Sequence, residues 1–272
     1  MANTVWAFAT ARVDADPLFM AVAAEVPRRI GEFKPQEMVN TVWAFATASV
    51  SSDALFEAVA AEVPRRIGNF SPQDMANTAW AFACVGWKQH QIFKDLGSSI
   101  AARLNDINET GKSQLYLVAL YIQMKWPDRD FPLSISLQSL RSAYTRRDSR
   151  PSQLQREVST LMGQMGWVHS FEHETAEGFS IDLAQPESKL AVEVDGPWHY
   201  LKDLSSGESV VNGATRFKMR QLRSFGWTVA HISFLDWSHK SESERRQLVA
   251  AKLGELGISV EDKSLASPAA QP

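Results

Sequence analysis

Glu193 and Asp195 stand two residues apart in LAVEVDGPWHY, residues 190–200. The stretch reads as a strand, because Leu190, Val192 and Val194 are apolar and a Gly-Pro pair ends the run. That spacing puts both carboxylates on one face of the strand, about 6–7 Å apart. Two acids side by side repel, and burying them is costly unless something neutralises them. A third acid, Asp182, lies one strand upstream in FSIDLA. The turn Pro186-Glu187-Ser188-Lys189 would let the two strands pair and bring Asp182 to the others. Three such carboxylates could share a Mg or Mn ion, with Glu157 on the preceding helix as a fourth oxygen donor and His199 just past the strand end. The competing reading is structural: Arg216, Lys218, Arg220 and Arg223, on a helix without an acid from 211 to 223, would neutralise the acids.

These residues need a scaffold, and the pattern from Ser152 onward supplies one. SQLQREVSTLMGQMGW is an amphipathic helix with Leu154, Val158, Leu161, Met162 and Met165 on one face. Strands are expected at about 167–174, 179–184 and 190–195, then a polar loop rich in Ser and Gly. The helix GATRFKMRQLRSFGW, the strand WTVAHIS and a helix over 241–256 follow, in the order α-β-β-β-α-β-α. The tail SLASPAAQP has a disordered composition.

The N-terminal part is repetitive. Residues 38–74 repeat residues 1–37 with nine differences, and a third copy opens at Met75 with MANTAWAFACVGW before diverging. A fainter fourth begins near Ser113. A period of 37 belongs to helical solenoids. Each copy reads as two helices: Ser71-Pro72-Gln73-Asp74 is a helix start, and Leu55, Phe56, Val59 and Val63 form the stripe of a second helix that Pro64 bends or ends. Neither helix buries its stripe alone, so copies must stack. Trp6, Trp43 and Trp80 read first as inter-repeat core. Asn3, Asn40 and Asn77, or the adjacent Thr4, Thr41 and Thr78, are the polar positions from which a solenoid would read bases, and equally serve as packing residues. Arg28-Arg29 and Arg65-Arg66 recur one copy apart and form a ladder suited to phosphate; a solvated helix end is the plainer reading.

The bulk numbers narrow the classes. The chain has 272 residues and a net charge of -3, so nucleic-acid binding must come from local basic patches. The basic segment from Lys125 to Arg156 is one such patch. Cys84 is the single cysteine, which excludes an intramolecular disulfide. The six histidines have no paired ligand spacing for zinc, and there is no phosphate-cradling glycine loop or nucleophile elbow. No apolar run is long enough to cross a membrane as a helix. No signal or transit segment is visible; the chain opens inside a repeat, and a longer array is expected.

IDLAQPESKLAVEVDGPWHY followed by GATRFKMRQLRSFGWTVAHISFLDW closely resembles the RAP domain, an RNA-binding domain abundant in apicomplexans. The resemblance covers roughly residues 180–240. The NTxWAFA copies are similar to the octotricopeptide-like repeats that precede RAP domains in organellar proteins, and the combination resembles the FAST-kinase-domain family. The resemblance implies RNA binding in mitochondria or, alternatively, chloroplasts, in transcript processing, stability, splicing or ribosomal RNA maturation. The RAP fold is itself similar to PD-(D/E)xK nucleases. Asp182 matches the first motif acid and Glu193 the second, but Asp195 stands where the family has Lys. An Asp cannot supply the positive charge that helps activate water, which favours holding RNA over cutting it.

The expected architecture is an α-solenoid over 1–124 (copies 1–37, 38–74, 75–112 and a degenerate fourth), a basic linker over 125–151, a small restriction-endonuclease-like α/β domain over 152–258 and a disordered tail over 259–272. The expected function is RNA binding without a cofactor, by a monomer, with other organellar RNA-processing proteins as further partners. Arg216, Lys218, Arg220 and Arg223 would touch phosphate, and Trp198 and Tyr200 would stack on bases. The alternatives are a metal-dependent endoribonuclease using Asp182, Glu193, Asp195, His199 and Lys218, and a protein-interaction solenoid.

Overall fold

The computed structural model describes residues 1–129, 131–133, 137–146, 150–203 and 208–259. In chain order the elements are α1 (Ala2–Thr10), β1 (Val13–Asp14), α2 (Asp16–Arg29), α3 (Pro35–Ala48), α4 (Asp53–Arg66), α5 (Pro72–Cys84), α6 (Gln91–Ala101), α7 (Glu109–Lys125) and α8 (Leu137–Thr145). There follow α9 (Gln153–Gln164), β2 (Ser170–Glu174), β3 (Ser180–Gln185), β4 (Leu190–Asp195), β5 (Tyr200–Asp203), β6 (Ser209–Val211), α10 (Gly213–Ser224), β7 (Thr228–Ser233), α11 (Phe234–Trp237) and α12 (Glu242–Glu255). They form two compact units. One holds residues 1–147 with 199–221, the other 148–198 with 222–272.

The first unit is mostly helical. α1, α3, α5 and α7 pack one on the next as one layer, and α2, α4 and α6 as a second. The helix starts are those the sequence signals: Ser71 and Asp74 close a reciprocal capping box on α5, and the Ser52 hydroxyl accepts from Leu55 N–H on α4. Phe19 meets Phe45 edge-on at 5.0 Å, and Phe56 meets Phe82 likewise at 5.1 Å, so each second-layer helix wedges into the first-layer helix of the next copy. The buried Thr41 and Thr78 donate to the carbonyls of Glu37 and Asp74, which removes the cost of burying their hydroxyls. Pro64 does not end its helix, since α4 runs through it to Arg66. A proline in the last turn removes a single ladder N–H, and the packed stripe ahead of it holds the helix.

Two stretches are more ordered than their composition suggests. The basic stretch over 125–151 contains α8, which buries Leu140, Ala143 and Tyr144 and packs on α7. Asp130, Arg147 and Asp148 of that stretch lie outside the described residues, as do 260–272 of the tail. The polar loop after β4 contains the antiparallel pair β5–β6, with β5 parallel to β1 of the first copy. This three-stranded sheet belongs to the helical unit.

The second unit is a small α/β domain with strand order β2-β3-β4-β7. β2–β3 and β3–β4 are antiparallel, and β4–β7 is parallel. α9 and α12 contribute Val158, Leu161, Met162, Val249 and Leu253 to a core with Val192 and Val194 of β4 and Ile232 of β7. This is the apolar face of the strand that carries Glu193 and Asp195.

Candidate nucleic-acid interface

The acids are held from within the sheet. The β3–β4 ladder pairs 183–185 with 190–192. Beyond it, Asp182 Oδ2 accepts from Val194 N–H at 2.7 Å and Oδ1 accepts from Gln155 Nε2 at 2.6 Å. The side chain thus supplies an acceptor where the ladder ends. Glu193 is 4% and Asp195 1% exposed. The parallel register sets Glu193 beside His231, and His231 Nδ1 lies 2.7 Å from Asp195 Oδ2. A histidine on β7 thus stands beside the acids; it has no ligand spacing in the sequence, and the parallel β4–β7 register is the signal that finds it.

These carboxylates do not fit a shared metal ion. Both oxygens of Asp182 and one of Asp195 are engaged in the hydrogen bonds just given. Among the described residues no group of three or more His, Cys, Asp or Glu side chains is placed to hold one. Glu157 serves elsewhere: it accepts from Trp237 Nε1 at 2.9 Å and from Gln153 Nε2 at 2.8 Å, with Arg245 at 3.6 Å. The Trp237 hydrogen bond, then that of Gln153, holds its carboxyl below the usual carboxylate range.

The basic helix divides its arginines. Arg216 and Arg223 are exposed, whereas Lys218 and Arg220 are half-buried. Arg220 donates to the Ala83 carbonyl at 2.6 Å and the Cys84 carbonyl at 3.0 Å, the end of α5, with its guanidinium 5.1 Å from the Phe217 ring. It caps a helix C-terminus, where a cation meets unsatisfied carbonyls and the negative end of the dipole. Gln221 donates to the Leu117 carbonyl of α7, and at Gly213 any Cβ would run into the Ala46 carbonyl of α3. The first part of α10 is thereby fitted across three first-layer helices. Burial there pushes the Cys84 thiol up to about 12, a shift that the nearby Arg220 opposes. Of the two aromatics beside the acids, Trp198 is 70% exposed and Tyr200 is buried, so only Trp198 offers a face for stacking. His199 Nδ1 lies 3.0 Å from the Thr215 hydroxyl.

The paired arginines of the array also divide. Arg28 and Arg65 are exposed. Arg29 pairs with Glu32 at 2.6 Å. Arg66 donates to the Phe33 carbonyl at 2.7 Å, and Arg103, its counterpart one copy on, donates to the Phe70 carbonyl at 3.3 Å. Arg66 and Arg103 are thus staples between copies, whereas Arg29 bonds locally.

One face of the first-layer helices carries the amides. Asn40 Nδ2 lies 3.5 Å from Asn3 Oδ1, and Gln73 Nε2 donates to Asn77 Oδ1 at 3.0 Å. Asn3 is exposed and Asn40 and Asn77 half-buried. Gln73, one turn before Asn77, adds a further amide to this face. Trp6 is 43% exposed, Trp43 half-buried and Trp80 6% exposed, and the rings of Trp43 and Trp80 lie 6.4 Å apart. Trp43 and Trp80 thus lie at the seam between neighbouring copies. Amides, aromatic rings and arginines are the side chains that bind unpaired bases.

Residues 192–251 match the RAP domain, and residues 1–127 match the RNA-editing substrate-binding complex 6 protein family. A chloroplastic RAP domain-containing protein of Oryza sativa subsp. japonica is 28% identical over 147 residues, 52% of this chain. The chain spans about a fifth of that relative, 22% of its length.

Proposed function

Because the chain is a RAP-domain protein, we propose that it binds single-stranded RNA in organellar RNA metabolism, through the helical array and the RAP domain together. The observation that carries this reading is the division of residues just described. Arg28 and Arg65 of the array, and Trp198, Arg216 and Arg223 farther along, are exposed, while Asp182 and Asp195 are committed within their sheet. The names of the matched family and relative, an RNA-editing substrate-binding complex and a chloroplastic protein, support transcript processing in an organelle, mitochondrion or chloroplast. In this reading the first unit is an octotricopeptide-like solenoid of 37-residue copies. The second is a PD-(D/E)xK-type fold that has lost cleavage: a Lys gives way to Asp195, and Asp195 is tied to His231.

The test is fluorescence anisotropy with a labelled single-stranded RNA over a range of salt. Binding should weaken steeply with salt and drop in Arg65→Ala and Trp198→Ala. Salt-insensitive or undetectable binding would overturn the reading. Cleavage with Mg²⁺ or Mn²⁺ that vanishes in Asp182→Ala would replace it with the nuclease.

A further inference from the structure

Successive copies of one motif have different neighbours, and the difference marks a binding edge. The chain turns left-handed after the first-layer helix at the same place in three copies: Arg12 (φ 56°), Ser49 (φ 60°) and Gly86 (φ 76°). The residue that then opens the second-layer helix is extended in φ in both of the first two copies, Ala15 at -145° and Ser52 at -150°. Between these points, in the first copy, lies Val13–Asp14, and it is occupied. β5 runs parallel to it, and Lys202 N–H donates to the Arg12 carbonyl at 2.9 Å.

In the second copy the same place is Val50–Ser51. Val50 N–H closes the end of α3 on the Phe45 carbonyl, but the Ser49 carbonyl and the Ser51 backbone have no hydrogen bond among the described residues. An open cleft of about 330 Å³ lies beside them. Ser51, Ser52, Asp53, Glu57 and Lys88 line it, with the buried Phe56 and Trp87 behind them.

We propose that the Ser49–Ser51 edge and its cleft accept an extended peptide from a partner protein by strand addition. The peptide places a Lys or Arg against the exposed Asp53 and Glu57. β5 supplies the precedent within the chain, since at the first copy's edge it brings a fully buried Leu201 followed by Lys202. Main-chain pairing gives such a complex its affinity, and the cleft selects the side chains. Two carboxylates against one ammonium favour a basic peptide over a phosphate backbone. This site is separate from the RNA-binding reading and stands without it.

The probe is a capped synthetic peptide of residues 198–203, WHYLKD, titrated into the isotope-labelled full chain and followed by NMR. Saturable shifts are expected at the amides of Ser51, Ser52, Gly86 and Lys88. They should disappear in Ser51→Pro, which removes a ladder donor, and weaken at least about fivefold in Glu57→Lys, which reverses the charge. Should Ser51→Pro not fold, Glu57→Lys carries the test alone, since its position is exposed. No saturable shift at 50–53 and 86–89 with millimolar peptide would overturn the proposal. So would shifts confined to 12–14, where the peptide merely replaces β5, or the same shifts produced by an RNA oligonucleotide and not by the peptide.

Discussion

The acids of the sheet unit and the arginines of the helical unit look alike in sequence, as clusters of charge at regular spacing, and the fold treats them differently. Asp182, Glu193 and Asp195 are turned inward, and two of them are held by a strand amide, Gln155 and His231. The arginines are divided within a cluster: Arg66 staples copies through the Phe33 carbonyl while Arg65 stays in solvent, and Arg220 caps α5 while Arg216 and Arg223 stay exposed. A charge cluster in a sequence is therefore a mixture of scaffold and surface. Only the surface members can meet a ligand, and each variant should betray which kind it is.

The largest effect is expected at the buried pair. His231→Ala leaves Asp195 without that partner in a site 1% exposed, and should cost about 3 kcal/mol in chemical denaturation. An unchanged midpoint would mean that the acids are neutralised by something else. Gly213→Val comes next, because its Cβ meets the Ala46 carbonyl; a loss of roughly 2–3 kcal/mol is expected, read as a lowered melting temperature. Arg220→Ala leaves the end of α5 uncapped and should cost roughly 2 kcal/mol, whereas Arg223→Ala, equally basic and exposed, should leave stability unchanged.

The smallest effect is a pH dependence at His90. Burial, with Arg129 and Lys94 nearby, holds its pKa below the ordinary 6.5. The unfolded chain therefore takes up this proton first as pH falls. The contribution is fully present above about pH 6.5 and is lost as pH falls from there through the lower folded value. His90→Phe should flatten the stability profile in that window, and an unaltered profile would show that another group sets it.

Much of this division could be foreseen and some could not, for physical reasons. Helix periodicity and the near-identical copies announce α1 to α5, since the same apolar stripe recurs even where the N-cap changes, as from Ala15 to Ser52. Strand alternation places Glu193 and Asp195 on one face, which the β4–β7 register bears out. The neighbour of that face, His231, comes from a parallel strand, and parallel partners leave no local turn to announce them. The β5–β6 hairpin is invisible for a related reason: its first strand pairs with a two-residue segment in the first copy, far away in sequence. Within an Arg-Arg pair, spacing cannot tell which member faces a carbonyl and which faces water.

The central claim is that RNA is held by the solvent-facing members of these clusters. The most direct measurement is the slope of log affinity against log salt for single-stranded RNA, in the natural sequence, in Arg28→Ala/Arg65→Ala and in Arg66→Ala. The account predicts a steep slope that falls by about 1.4 in the double variant, two phosphate contacts being lost, and does not change in Arg66→Ala. A slope near zero, or the same slope in the double variant as in the natural sequence, would contradict it.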